Sequence, residues 1–248
     1  MGNVKAIFKK QLKSTLKSPE TLIQFIIFPL LAFVMNLLMV TDFEAEGVPA
    51  DIAAVLMANM PNMVTMQATI FAGMGLITVI SGIIAEDMEK KSLRFLSMAG
   101  VKPGSYLIGV SGVILFVSFF TSIAFSFIGE FSGADFWIFT GAMMSGVAGS
   151  IVLGAIFGIM AGNQQSASGL ALPAAILLGF GPMLAQFNDR LASILHFLYT
   201  QQLNVVANHL TTGVSDTPLW QSFAIMWANV AVIGILFAII YSKKGLKG

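Results

Sequence analysis

Apolar positions along this chain come in runs too long for the core of a soluble domain. Six stretches carry no charge at their centres: roughly Thr21–Val40, Pro61–Ala85, Ser105–Ile128, Phe136–Ala161, Ala167–Gln186 and Leu219–Tyr241. A helix needs about 20 apolar residues to cross a bilayer, and each run is of that order. Backbone groups in hydrocarbon must pair within their own segment, which excludes open sheets. The pattern predicts an all-α integral membrane protein, with six transmembrane helices in one domain over residues 1–248.

Two other segments have helical patterning without the length or polarity of a span. In Met1–Lys17, Val4, Ile7, Phe8, Leu12 and Leu16 share one face, while Lys5, Lys9, Lys13 and Lys17 line an adjacent one. That arrangement predicts an amino-terminal helix lying in the membrane interface against lipid, broken at Ser18-Pro19 before the first span. The five lysines before a span-length run also argue against a cleaved signal peptide. Gln186–Pro218 is apolar over Leu191–Leu203. It also holds Asn188, Asp189, Arg190, His196, Gln201, Gln202, Asn204 and Asn208, too many polar groups to span. Two short helices forming a re-entrant outer hairpin before the last span, residues 187–218, fit it better.

Composition agrees with lipid as the solvent. Only 10% of the 248 residues are charged, 56% are hydrophobic, and mean hydropathy is +0.86; a soluble domain carries about 25% charged residues. A net charge of +1 suggests no nucleic-acid partner. The absence of cysteine excludes thiolate chemistry, and two histidines, His196 and His209, are too few for a conventional metal site.

Charge placement predicts orientation. Lys5, Lys9, Lys10, Lys13 and Lys17 precede the first run; Lys90, Lys91, Arg94 and Lys102 lie between the second and third; Lys243, Lys244 and Lys247 follow the sixth. The other side holds Asp42, Glu44, Glu46, Asp51, Glu130, Asp135, Asp189 and Asp216, with Arg190 as its base. The positive-inside rule places both termini in the cytoplasm.

The cytoplasmic segment 86–103 carries the most chemistry. Met88, Ser92, Phe95, Leu96 and Ala99 fall on one helical face, and Glu86–Lys90 and Asp87–Lys91 are acid-first pairs four apart. Gly100 ends the predicted helix and Pro103 restarts the chain. A helix with one apolar and one charged face suits docking on a partner protein.

At these residues the chain resembles the permease subunit of ABC transporters of the type-2 exporter class. That family has an acid-rich segment after the second span, commonly Glu-x-Glu-Lys/Arg followed by Gly-Thr-Leu-Glu, then a Leu-rich turn and Ser/Gly-x-x-Pro. Glu86 or Asp87, Glu89, Lys90, Leu93, Leu96, Gly100 and Pro103 occupy the matching places; Lys91 stands where the family has Gly, and Arg94 where it has an acid. The resemblance extends over the chain: an interfacial first helix, Ser18-Pro19, a first span with Gln24 and Phe28-Pro29, six spans and the outer hairpin. It implies a dimer of permeases, a homodimer in preference to a heterodimer, in a bacterial plasma membrane. It implies separate ATPase subunits that bind ATP and Mg, with no cofactor in this chain. It implies export of an amphiphilic substrate: a drug, an antimicrobial peptide or a lipid-like compound. ATPase coupling would fall to Glu86, Asp87, Glu89, Lys90, Leu93, Arg94, Phe95, Leu96 and Gly100.

Other motifs weigh the alternatives. No phosphate-cradling Gly-x-x-x-x-Gly-Lys-Ser/Thr loop is present, so ATP would be handled by another polypeptide. Gln24, Asn36 and Gln67, with Phe28, either line a substrate path or hydrogen-bond between helices. Gly146, Ser150, Gly154, Gly158 and Gly162 recur every four residues, which suits close helix packing within the bundle or a dimer interface. Gly109-Val110-Ser111-Gly112 matches the intramembrane serine-protease motif, but both histidines fall in the outer hairpin, away from Ser111. Pro29 and Pro173 predict kinks. An ion-coupled secondary transporter would place carboxylates or bases inside its spans, and none occurs there. A membrane immunity protein would not need the docking helix.

Overall fold

A computed structural model describes residues 2–39, 49, 63–92, 103–213 and 217–244. Among these, the regular structure is helical and no strand occurs. The helices are α1 (Gly2–Lys17), α2 (Pro19–Met39), α3 (Met63–Ile70), a π-helical turn (Phe71–Gly75), α4 (Leu76–Glu89), α5 (Pro103–Ile128), α6 (Gly133–Ala161), α7 (Gln164–Ala185), α8 (Asp189–Leu195), α9 (Tyr199–Thr212) and α10 (Leu219–Lys244). Helix α3, the π turn and α4 run as one helical rod. Six helices among the described residues are long and apolar enough to cross a membrane, as expected of a multi-pass membrane protein. They match the six apolar runs to within a few residues.

The breaks between helices follow local chemistry. At Ser18-Pro19 the ring removes a donor, but the chain stays tight: Ser18 N bonds Ser14 O at 3.0 Å and Leu22 N bonds Ser18 O at 3.1 Å. The Ser18 hydroxyl also accepts from Thr21 N (3.4 Å), capping α2. Helix α6 ends at Gly162, in the left-handed region at φ +76°, where glycine is favoured. Asn163 then caps α7, its side chain accepting from Ser166 N at 2.8 Å. Asn188 caps α8 in the same way, accepting from Arg190 N and Leu191 N.

The rod 63–89 is the centre of the molecule. It packs against α2, α6, α7 and α9, and 78% of an 18-residue stretch of it is buried. Lipid tails are as apolar as leucine, so helices in a bilayer associate through close packing and hydrogen bonds. Here small residues provide that contact. A Cβ at Gly154 would lie 2.9 Å from Ile77 O, and one at Gly158 would lie 2.8 Å from Ile84 Cβ. The four-residue stripe of α6 thus packs inside the bundle, against the rod, and is not a free surface for a second copy.

The stretch after the fifth span forms two helices, α8 and α9. Helix α9 is polar yet sunk among the spans, with Tyr199, Thr200, Gln201, Gln202, Leu203 and Asn204 all buried. It touches α3, α6, α7 and α10.

Candidate functional site

The charged turn at 86–92 is the end of the second span itself. Lys90 Nζ pairs with Glu86 Oε1, the expected four-residue pair. That hydrogen bond and the carboxylate charge raise the Lys90 pKa. The second expected pair does not form. Asp87 Oδ2 instead accepts from the Tyr106 hydroxyl of α5 at 2.5 Å. Lys91 cannot reach back because the helix has already ended: α4 stops at Glu89, and Lys91 takes a left-handed backbone at φ +54°. The predicted helix through Met88 and Ser92 is therefore interrupted at Lys90-Lys91. Leu93, Arg94, Phe95, Leu96, Gly100 and the rest of 93–102 lie outside the described residues.

Glu89 has a specific role that its spacing does not reveal. Its Oε2 accepts from Gln164 N, the first residue of α7, at 3.2 Å. A carboxylate there meets both an unpaired backbone donor and the positive end of a helix dipole. Asp87 and Glu89 thus tie one turn of the second span to the third and fifth spans.

Above this turn the π-helical segment gathers the other helices. A π turn adds one residue to the helical cycle and is frequently found at functional sites; here Leu76 N bonds back to Phe71 O. A Cβ on Gly73 would lie 2.6 Å from backbone atoms of Leu178 and Gly179 in α7. A Cβ on Gly75 would lie 2.9 Å from the Phe28 ring of α2. Phe71 packs its ring against Phe25, Phe28 and Phe125, with centroids 5.7 to 5.9 Å apart. The Ser150 hydroxyl of α6 donates to Ala72 O within the turn and lies 2.9 Å from the Tyr199 hydroxyl of α9. Ser150 has one proton and gives it to a carbonyl, so Tyr199 is the donor in the second bond. Burial pushes the Tyr199 phenol up and keeps it neutral.

The polar residues singled out in the spans fall along the seam between α2 and the rod. The Thr78 hydroxyl, bonded to Gly75 O at 2.9 Å, lies 3.5 Å from Gln24 Oε1, Gln67 Nε2 lies 3.8 Å from Met35 Sδ, and Phe28 covers Gly75. Asn36 is half-buried on the same helix. The structure brings Gln24, Phe28 and Gln67 to one seam on the rod that ends at Glu86 and its neighbours.

The sequence reading named Ser150 only as a small residue of the stripe and did not name Tyr106, Gln164 or Tyr199. A Tyr three residues into a span and a Ser inside a glycine stripe were the available signals. The Gly109-Val110-Ser111-Gly112 motif has a packing role. A Cβ at Gly109 would lie 2.6 Å from Ile7 Cγ2, and one at Gly112 would lie 3.4 Å from the Phe8 ring. The two glycines seat α1. On α1, Ile7, Gln11 and Thr15 are buried, while Leu16 is 52% exposed.

No protein-family model matches the chain, and no curated protein matches it.

Proposed function

We propose that this chain is the membrane permease of an ATP-driven exporter, with ATP and Mg handled by a separate ATPase and a second permease copy completing the path. The observation that carries the reading is the turn at the end of the second span. It exposes Glu89, Lys90 and Lys91 while Asp87 and Glu89 bind to the third and fifth spans. A push on that turn is delivered to three spans and, through α4, to the π-helical hub. The backbone at Lys91 also supports the resemblance: the family pattern has glycine there, and φ +54° is a conformation that favours glycine.

In this reading α1 is the interfacial helix on the cytoplasmic side, where its lysines belong. Helices α8 and α9 are the re-entrant outer hairpin, and α9 supplies the polar lining. Thr200 Oγ1, Gln201 Oε1, Gln202 Oε1 and Asn204 Nδ2 are buried without a hydrogen-bond partner among the described residues, polar atoms left for water or a guest to satisfy once the bundle opens. An amphiphilic substrate fits a path with apolar walls and this neutral polar strip.

The test is to look for an ATP-binding cassette ATPase encoded beside the gene and to co-express the two, followed by co-purification and transport assays. The chain alone hydrolyses no ATP and the complex does. Ser14→Cys and Ser92→Cys stay unlabelled by an impermeant thiol reagent in intact cells, and Ser132→Cys is labelled. Hydrolysis by the purified chain alone, or outside labelling at position 92, overturns the reading.

A further inference from the structure

The first and third spans, α2 and α5, leave between them an open groove of about 500 Å³, within the size range of small-molecule sites. Phe25 and Pro29 are buried at its base, while Ile26, Leu30 and Phe120 stand more than half exposed along its rim. Its hydroxyl, Thr121 Oγ1, is turned to backbone carbonyls, 3.5 Å from Phe25 O and 3.3 Å from Val117 O. A polar guest would find nothing to bond there and would lose its own hydration. The lining positions on α2 run from 22 to 33, a helical rise of about 16 Å. The groove is long, narrow in chemistry and suited to an extended hydrocarbon chain.

One end of the groove is marked by charge. Leu22 lies one turn beyond the Ser18-Pro19 break, and the helix before that break exposes Lys5, Lys9, Lys10, Lys13 and Lys17. Residues 2–17 contain no acid, and against their five lysines stands Glu20 at the start of α2, so this end keeps an excess of positive charge. Helix α1 is held near this end because Ile7 packs with Tyr106 and Val110 of α5, the helix that forms the other wall.

We propose that this groove is a binding site for an anionic phospholipid, with one acyl chain in the groove and the phosphate at Lys13 and Lys17. The site stands whether or not the chain works with an ATPase. Apolar lining alone would accept any lipid; the excess of lysine over acid at one end selects a headgroup with net negative charge.

The experiment is native mass spectrometry of the purified full chain, incubated in detergent with dioleoylphosphatidylglycerol or dioleoylphosphatidylcholine, counting retained lipids. The parent retains the anionic lipid preferentially. Each lysine near a headgroup contributes about fivefold, so Lys13→Gln with Lys17→Gln lowers the preference roughly 30-fold. Ala124→Phe, from inside the groove, and Ile26→Trp, from its rim, each reduce retention of both lipids; circular dichroism verifies that each variant is folded. Equal retention of the two lipids by the parent overturns the proposal, as does a preference that survives loss of both lysines. Unchanged lipid counts in both filled variants, with a shift to a smaller species on size exclusion, would assign the groove to a second copy of the chain and also overturn it.

Discussion

Over an 18-residue stretch the second span is 78% buried, whereas the sixth is only 6% buried over a stretch of the same length. Both are long, apolar and uncharged at their centres. The difference lies in the residues that allow close approach. The second span carries Gly73, Gly75, Gly82, Thr65, Thr69, Thr78 and Ser81. The sixth turns Trp220, Trp227, Val232, Ile235, Leu236 and Ile239 outward. Large side chains gain nothing by leaving lipid for protein, whereas small ones let backbones meet and hydroxyls bond across helices. Hydrophobicity thus identifies both spans, but side-chain size and hydroxyl content decide which one becomes the hub.

The sharpest way to break that contrast is a methyl group. Gly73→Ala forces a Cβ against the backbone of Leu178 and Gly179 and is expected to cost about 2–3 kcal/mol. Gly234 in the sixth span meets nothing within 4 Å. There alanine is expected to be neutral or to stabilise by about 0.5–1 kcal/mol through helix propensity. Reversible unfolding in mixed detergent measures both, and equal effects would remove the distinction between hub and rim.

Hydroxyls give the next contrast. Ser150→Ala removes the donor to Ala72 O and the acceptor for Tyr199, an expected loss of about 1–3 kcal/mol. Ser222 Oγ in the sixth span is buried with no partner among the described residues, so Ser222→Ala is expected to be neutral or mildly stabilising. A double-mutant cycle of Ser150→Ala with Tyr199→Phe should return a coupling of at least about 0.5 kcal/mol; strict additivity would mean the hydroxyls act separately.

At the end of the second span, Tyr106→Phe frees the Asp87 carboxylate and should cost about 1–2 kcal/mol. Glu89→Gln weakens the start of α7 by about 0.5–1 kcal/mol. Because Glu89 caps a neighbouring helix, charge reversal there also disturbs the fifth span. A transport defect in Glu89→Lys therefore reports on coupling only if unfolding is measured beside it.

The smallest effects concern the turn itself. Lys91→Gly relieves a left-handed backbone at the expense of chain entropy, a net gain of about 0.5–1 kcal/mol. The Glu86–Lys90 pair is exposed, and Lys90→Gln should leave the unfolding curve unchanged. With the Lys90 pKa raised in the folded state, any contribution from the pair is present at neutral pH and fades as pH climbs past the ordinary lysine range.

Much of the fold was legible because the bilayer imposes a length that the chain must match. The site was legible only in part. Spacing identified Glu86–Lys90, since both partners sit on one helix four residues apart. Spacing misassigned Asp87, because the competing partner, Tyr106, belongs to the next span and a helix end intervened at Lys91. It was silent on Glu89 and Gln164, which are separated by 75 positions. It was silent also on which residues of α1 meet the bundle. The structure buries Gln11 and Thr15 with Ile7, since a helix next to lipid loses little by leaving leucine outside.

The sequence by itself determined six membrane-length helices, a helix before the Ser18-Pro19 break and a pair of short helices between the fifth and sixth spans. Those features follow from local composition and from backbone hydrogen bonds that close within each segment. Only the tertiary structure decided that the second span is central, that it contains a π turn at Phe71–Gly75, and that the glycine stripe of α6 faces it. It alone placed Tyr199 on Ser150, seated Ile7 and Phe8 on Gly109 and Gly112, and opened the groove beside α2. These are contacts between residues far apart in the chain. In a medium where every span is equally apolar, shape and a few hydrogen bonds choose the neighbours.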